Sequence, residues 1–374
     1  MERTIITAED NYKGFDRWIA ERGCKRVLLV CGNSLSRFSG FYGHLRAIPK
    51  DVCAFVRFSD FAPNPSYESA AEGVKAFREN ECDGIVAVGG GSAIDVAKCI
   101  KLYSGMDERR NYLEQEIVPN QIPFLAMPTT AGSGSEATRF AVIYYGGVKQ
   151  SVTHESCIPD AVLLDSETLK TLPAYQRKSG MMDAFCHSIE SCWSIRATPK
   201  SRSYSQEAIA RILANMDGYL SNTEEGNQGM LLAAHTAGQA IDLAQTTAGH
   251  AMCYGITGLF HVAHGHAAAL CDRVLFPWMT ENAAKLVLLP GGERLDQALY
   301  EIATAMGCLD ANAAARKFLN IFSSLRLDVP RATEEQFEIL RRSVNPVRLK
   351  NHPVALDERT IDMLYRKILN GESS

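Results

Sequence analysis

The sequence lacks a paired-cysteine motif, an apolar run long enough to cross a bilayer, and a large excess of charge of either sign. Its eleven cysteines are scattered with no C-x-x-C spacing. No secretory leader is recognisable, since Met1-Glu-Arg-Thr-Ile-Ile-Thr7 has no basic segment followed by a long apolar one. The cysteines are therefore expected to be reduced core thiols of a cytoplasmic protein. No stretch approaches the ~20 apolar residues a membrane helix needs, so no membrane partner is expected. The formal net charge of -4 gives no general attraction to nucleic acid or to an anionic membrane surface. Internal repeats and low-complexity segments are also missing. What remains is a globular chain of 374 residues, 46% hydrophobic and 22% charged, long enough for roughly two or three domains and a large core.

The most informative stretch is Gly180-Met-Met-Asp183-Ala-Phe-Cys-His187-Ser-Ile-Glu190. Asp183 and His187 lie four apart with no glycine or proline between them, so on a helix both side chains point to one spot. His250 and His264 follow downstream. One carboxylate and three imidazoles form a plausible nitrogen and oxygen site for a divalent transition metal such as Fe²⁺ or Zn²⁺.

Upstream, Lys25 to Gly32 reads as a buried strand closed by a turn at Gly32-Asn33-Ser34, with a helical pattern before it (Phe15 to Glu21) and a loop after it. Val52 to Phe58 is a second strand. Pro63-Asn64-Pro65-Ser66 turns into a helix from Tyr67 to Glu79. Gly84 to Val88 is an apolar strand followed at once by Gly89-Gly-Gly-Ser92 and a helix from Ala93 to Tyr103. Strand, glycine loop and helix N-terminus in that order favour a bound phosphate, because backbone N–H groups approach closely and the helix dipole favours negative charge. The loop is not G-x-G-x-x-G and follows a later strand, so the ordinary Rossmann fingerprint does not describe it. Pro123 to Met127 is another strand, ending in the hydroxyl-rich loop Pro128 to Glu136. Ala141 to Val152 reads as a hairpin turning at Gly146-Gly147, and Ala161 to Leu164 as a further strand.

After Leu172-Pro173 only helical patterns remain, at about 175–195, 201–220, 227–253, 264–280, 293–305, 310–324, 335–343 and 357–369. The expected organisation is an α/β nucleotide domain over 1–174 and an all-helical domain over 175–374, with the site in the cleft between them.

Gly89-Gly-Gly-Ser-Ala-Ile-Asp95-Val-Ala-Lys98, Pro128 to Glu136, Gly180 to Glu190, and His250 with His264-Gly265 together resemble the iron-containing (group III) alcohol dehydrogenases over nearly the whole chain. The resemblance implies a dehydroquinate-synthase-like fold: an N-terminal Rossmann-like nucleotide domain and a C-terminal all-helical metal-binding domain. It implies NADPH- or NADH-dependent interconversion of an aldehyde and a primary alcohol, with Fe²⁺ or sometimes Zn²⁺. By position, Asp183, His187, His250 and His264 match the metal ligands. Gly90, Gly91 and Ser92 match the pyrophosphate loop. Asn64, Asp95, Thr129, Thr130, Ser133 and Lys149 match positions that line the cofactor. The resemblance also implies a homo-oligomer, most simply a dimer. His261 and His266 receive no assignment.

The chain departs from the family pattern at three places. The histidine that often follows the third ligand by one turn, credited with proton relay, is replaced by Tyr254. A tyrosine donates a proton, but its ordinary pKa is about 10, so His261, His266 or water are alternatives. The acidic residue that NAD-preferring members carry after the first strand is replaced by Gly32, which predicts that NADPH is accepted. Arg139 stands where the family usually has a neutral residue, with Lys149 and His154 on the adjoining hairpin and Lys200 and Arg202 beyond the first α-domain helix. Such cations favour an anionic substrate, because arginine offers a planar fork to phosphate or carboxylate; the alternative is a surface ion pair. Within the family the combination resembles phosphonoacetaldehyde reductases, which make 2-hydroxyethylphosphonate and would place the chain in phosphonate metabolism. A generic short-chain alcohol or lactaldehyde dehydrogenase, a same-fold lyase of the dehydroquinate synthase kind, and a non-catalytic nucleotide-binding protein are the competing expectations. The Asp-His-His-His set argues against the lyase.

Overall fold

The structure is a computed structural model that describes residues 4–286 and 292–370. It falls into two compact units, one formed by residues 1–172 with 222–235 and the other by 173–221 with 236–374.

The first unit is built on a parallel sheet. Its strands are β1 (Thr4–Thr7), β2 (Arg26–Cys31), β3 (Ala54–Phe58), β4 (Gly84–Gly89), β5 (Phe124–Pro128) and β8 (Ala161–Leu164), in the order β1-β8-β5-β4-β2-β3. Every pairing is parallel. Helices α1 (Lys13–Arg22), α2 (Ser39–Ala47), α3 (Tyr67–Glu79) and α4 (Gly91–Tyr103) cover it, with the short α5 (Glu167–Lys170) after β8. The alternation along β2 shows the layering. Val27, Leu29 and Cys31 enter one core with Phe15, Trp18, Phe41 and Leu45 from α1 and α2. Leu28 and Val30 enter another with Phe77, Ile94 and Ile100 from α3 and α4. A strand buried on both faces needs apolar residues at every position, and for that reason these strands read as unbroken apolar runs.

From β2 the chain goes to β3 on one side and then to β4 on the other. The strand order therefore reverses between β2 and β4, and ligands of open α/β sheets bind at the carboxyl ends of such neighbouring strands. A separate two-stranded hairpin, β6 (Phe140–Tyr145) with β7 (Val148–Thr153), is antiparallel and turns at Gly146-Gly147, both with positive φ.

The second unit is helical throughout its described residues: α6 (Ala174–Trp193), α7 (Pro199–Leu220), the end of α8 (Glu224–Ala244), α9 (Ala248–Phe260), α10 (His264–Leu286), α11 (Gly292–Ala305), α12 (Ala311–Ser324), α13 (Glu334–Ser343), α14 (Pro346–Leu349) and α15 (Glu358–Asn370). Phe185, Phe276, Phe318 and Trp193 form an aromatic centre, with ring centroids 5.3 Å apart for Phe185 and Phe318 and 5.4 Å for Trp193 and Phe276. A Thr198–Ser201 capping box with Pro199 in the first turn starts α7.

Two expectations are corrected and one strand is added. The single helix expected over 227–253 is two, α8 and α9, broken where Gln245 takes a left-handed φ of 60°. The break is held from outside: Thr247 donates its N–H and its hydroxyl to Glu190 at 2.6 and 2.8 Å. The segment after β2, expected to be loop, contains α2, whose Phe41 and Leu45 are buried. Strand β1, only four residues long, was not anticipated.

Candidate metal centre

Helix α6 carries Asp183, His187 and Glu190 at helical spacing, and all three are buried. Helix α9 brings His250 in its first turn, and α10 begins at His264. Two glycines allow these helices to meet. A methyl group at Gly265 would come 2.5 Å from Asp183 Cβ, and one at Gly249 would come 2.7 Å from Glu190 Oε1. Any side chain at either place would push a histidine-bearing helix away from α6.

The result is a cluster in which ligand atoms of Asp183, His187 and His250 all lie within 4.8 Å of one another. Asp183 Oδ1 is 3.9 Å from His187 Nε2 and 3.5 Å from His250 Nε2. The His187 and His250 rings stack at 4.5 Å. His264 flanks the group, its ring 5.4 Å from that of His250.

Asp183 Oδ1 and His250 Nε2 are buried and neither makes a hydrogen bond. Buried polar atoms of this kind are costly unless something satisfies them. A divalent cation fits this oxygen and nitrogen set. Burial alone would raise the Asp183 carboxyl, but His187, His250 and His264 together pull it well below the usual carboxylate range. It therefore stays ionised.

Behind His250 sits Glu190, fully buried. It accepts the backbone N–H of His250 at 3.1 Å in addition to the two Thr247 bonds, and it pairs with His250 Nδ1. Burial opposes its ionisation, yet His250 and these donors hold it down to about 2. Asp272 lies beside it, pushed up by burial and by the Glu190 charge. The i, i+3 spacing of His187 and Glu190 was the signal in the sequence for this outer carboxylate; no role was assigned to it there.

Tyr254, one turn beyond His250, packs its ring 5.1 Å from His264. Its hydroxyl accepts a bond of 2.8 Å from Arg348 Nη1. Burial raises the phenol above its ordinary value, against the lowering effect of Arg348, so it keeps its proton. His266 is structural: its ring nitrogens meet the Tyr175 hydroxyl at 3.0 Å and the Asp328 carbonyl at 2.8 Å. His261 caps the end of α9 in a left-handed conformation.

In the first unit, the glycine loop closes β4 and opens α4, with Gly90 as an N-cap that has no side chain to occupy the helix end. Gly91 and Ser92 form the first turn. Gly89 pairs in register with Pro128, so Thr129, Thr130 and Ser133 follow the neighbouring strand at the same edge. Gly32 follows β2 there too, and Arg57 Nη2 donates to its carbonyl at 3.1 Å. This edge, lined by glycine, hydroxyls and a helix N-terminus, fits a dinucleotide pyrophosphate. Asp95 is engaged from within, accepting from Ser135 Oγ at 2.6 Å and Val142 N at 3.0 Å. Lys149 half-exposes on β7, and Asn64 takes a left-handed φ of 57° before α3. Arg139 makes an ion pair with Glu155 at 3.1 Å, and His154 Nδ1 accepts the Ser156 N–H.

Residues 3–166 match the sequence profile of iron-containing alcohol dehydrogenases, and residues 178–368 match that of the family's C-terminal region. A probable alcohol dehydrogenase of Escherichia coli is 31% identical over 267 residues, covering 70% of this chain and 66% of that protein. The chain thus spans a little under two thirds of that relative's length. The phosphonoacetaldehyde reductase of Streptomyces viridochromogenes is 32% identical over 67% of each chain. The structure of a sulfoacetaldehyde reductase from Bifidobacterium kashiwanohense in complex with NAD⁺ superposes with a TM-score of 0.86 over 99% of this chain and 98% of that one, at 24% identity. That likeness shows the dehydroquinate-synthase-like fold, a parallel sheet with helices followed by a helical part. With both family profiles matched in order along the chain, the protein belongs to the iron-containing alcohol dehydrogenase family.

Proposed function

We propose that the chain reduces a small anionic aldehyde to its primary alcohol with NADPH or NADH, phosphonoacetaldehyde to 2-hydroxyethylphosphonate being the type reaction. Fe²⁺, or Zn²⁺ in its place, would be held by Asp183, His187, His250 and His264. The observation that carries the class of reaction is the buried Asp183–His187–His250 cluster, with its unsatisfied oxygen and nitrogen.

When bound, the cation supplies Lewis acidity toward a carbonyl oxygen and the nicotinamide supplies the hydride. The chain's own residues do the rest. Asp183 contributes a fixed negative charge. Glu190 holds His250 by Nδ1, so that Nε2 faces Asp183. Tyr254 keeps its proton beside His264, with Arg348 donating to its oxygen. Gly90, Gly91, Ser92, Thr129, Thr130 and Ser133 would seat the pyrophosphate, and Asn64, Asp95 and Lys149 the rest of the dinucleotide. Gly32 places no acid against a 2′-phosphate, and Arg57 places a cation there.

The anionic substrate is supported by Arg139, Lys149 and His154 on or beside one hairpin, and by the 32% identity to a protein named phosphonoacetaldehyde reductase. The Arg139–Glu155 ion pair favours a second reading, a generic short-chain alcohol dehydrogenase, because it already balances the Arg139 charge. A protein named NADPH-dependent butanol dehydrogenase is 30% identical. An aldehyde panel separates the two. With Fe²⁺ and NADPH, kcat/KM for phosphonoacetaldehyde is expected to exceed that for butanal, lactaldehyde and succinic semialdehyde. A preference for butanal would overturn the anionic-substrate reading.

A further inference from the structure

Helices α6 and α9 each carry a polar side chain three residues past a candidate ligand: Glu190 after His187 on α6, and Cys253 after His250 on α9. Three residues is close to one helical turn, so each lies on the ligand-bearing face of its helix. Each also meets the ligand of the next helix. Glu190 pairs with His250 Nδ1 on α9, and Cys253 Sγ lies 3.6 Å from His264 Nδ1 at the start of α10. Behind His250 stands a carboxylate; behind His264 stands a thiol.

Cys253 is fully buried, and its Sγ also lies 3.3 Å from the His250 carbonyl oxygen. A thiol has one hydrogen and a carbonyl can only accept, so S–H donates to His250. The sulfur is then the acceptor toward His264. Nδ1 of His264 carries a hydrogen, and Nε2 is the nitrogen offered to a cation. Tyr254, the next residue, packs its ring 5.1 Å from the same imidazole at an interplanar angle of 31°. Successive helical residues point about 100° apart, so Cys253 and Tyr254 hold the His264 ring from two sides. His187 and His250 are buried, whereas His264 is half-buried and less confined by packing, so its orientation depends more on such holds.

We propose that Cys253 is a positioning residue for His264: its sulfur accepts from Nδ1 and so sets the ring and the tautomer that present Nε2 to the metal. This rests on the assignment above, in which His264 joins Asp183, His187 and His250 around the cation. Cys253 is not itself a ligand. A coordinating cysteine binds as the thiolate, whereas this sulfur keeps its hydrogen on a backbone carbonyl.

Co²⁺ loaded into the metal-depleted full chain gives two readouts besides activity: affinity, by competition with a chromophoric chelator, and the visible d–d bands, which report ligand geometry. Cys253→Val fills nearly the same space without a polar atom, and Cys253→Ser keeps one donor and one acceptor; Cys253→Ala replaces the valine variant if that one melts without a cooperative transition. Cys253→Val is expected to bind Co²⁺ about tenfold more weakly, the low end for loss of a partner behind a ligand, with altered d–d bands. Cys253→Ser is expected to recover most of the affinity and the wild-type bands. In a His264→Ala background, where the positioned ring is gone, Cys253→Val is expected to cost less than about twofold more. Wild-type affinity in Cys253→Val, equal weakening by serine and valine, or an equal valine effect in both backgrounds would overturn the proposal. An intense near-ultraviolet sulfur-to-cobalt band in wild type, abolished by serine, would make Cys253 a ligand and overturn it too. If wild type binds Co²⁺ no more tightly than Asp183→Ala does, the metal assignment itself fails and Cys253 falls with it.

Discussion

Glu190 pairs with His250 at Nδ1, and the opposite ring nitrogen of His250 stands 3.5 Å from Oδ1 of Asp183. The Glu190 carboxylate is ionised and can only accept, so Nδ1 must carry a hydrogen; against burial, Glu190 and Asp183 raise the imidazole to about 10, and a divalent cation beside Asp183 would take the place of the proton on Nε2. The tautomer a metal needs is thus fixed from behind. Outer carboxylates of this kind typically change metal affinity 10–100-fold when removed. Glu190→Gln is therefore expected to weaken Zn²⁺ affinity by about 10–100-fold, measured by competition with a chromophoric chelator. Unchanged affinity in a variant that still melts cooperatively would show that Glu190 only fills space and caps the α8–α9 break.

Arg57 is expected to favour NADPH over NADH. It donates to the Gly32 carbonyl and, at 3.2 Å, to the Asn33 side chain, at the carboxyl end of β2. A cation there attracts a 2′-phosphate where an acid would repel it. Arg57→Ala is expected to lower kcat/KM for NADPH by about tenfold or more relative to NADH, the size of one charged hydrogen bond. Equal losses for the two cofactors, or a wild-type preference for NADH of tenfold or more, would contradict the assignment.

His352 gives the stability a pH dependence of predictable sign. It is fully buried and neither ring nitrogen makes a hydrogen bond. Burial pushes its imidazole down to about 4, with the Glu190 charge opposing. The folded protein therefore resists a proton that the unfolded chain accepts near the ordinary histidine value of about 6.5. Stability is fully present above that value and is lost as pH falls toward about 4, to a total of roughly 3 kcal/mol from this group. His352→Phe is expected to flatten the fall in urea-unfolding free energy of the metal-free protein between about pH 7 and about pH 5. An undiminished fall in the variant would assign the loss to other groups.

Legibility followed the range of the interactions. Strands β2, β4 and β5 were readable because burial on both faces forces an apolar residue at every step. Asp183 and His187 were readable because one helical turn aligns them. The break between α8 and α9 was not, since 239–248 contains no proline or glycine and the bonds that hold it come from Glu190, more than fifty residues earlier. Helix α2 was obscured by Gly40 and Gly43, although Phe41 and Leu45 keep helical spacing. Arg348 reaches Tyr254 across 94 residues, and no local pattern announces such a pair. Tyr254 itself was visible as a departure from a motif, but its partner was not.

The account turns on three ligand atoms gathered within 4.8 Å by α6 and α9, with His264 beside them. The most direct test is the metal content of protein loaded anaerobically with Fe²⁺ and desalted, for wild type, Asp183→Ala and His250→Ala, alongside a thermal melt of each. Wild type is predicted to retain one iron per chain and to melt higher with metal than after chelation, while both variants retain none and melt alike in either condition. Full iron retention in Asp183→Ala or His250→Ala would place the metal elsewhere and contradict the site.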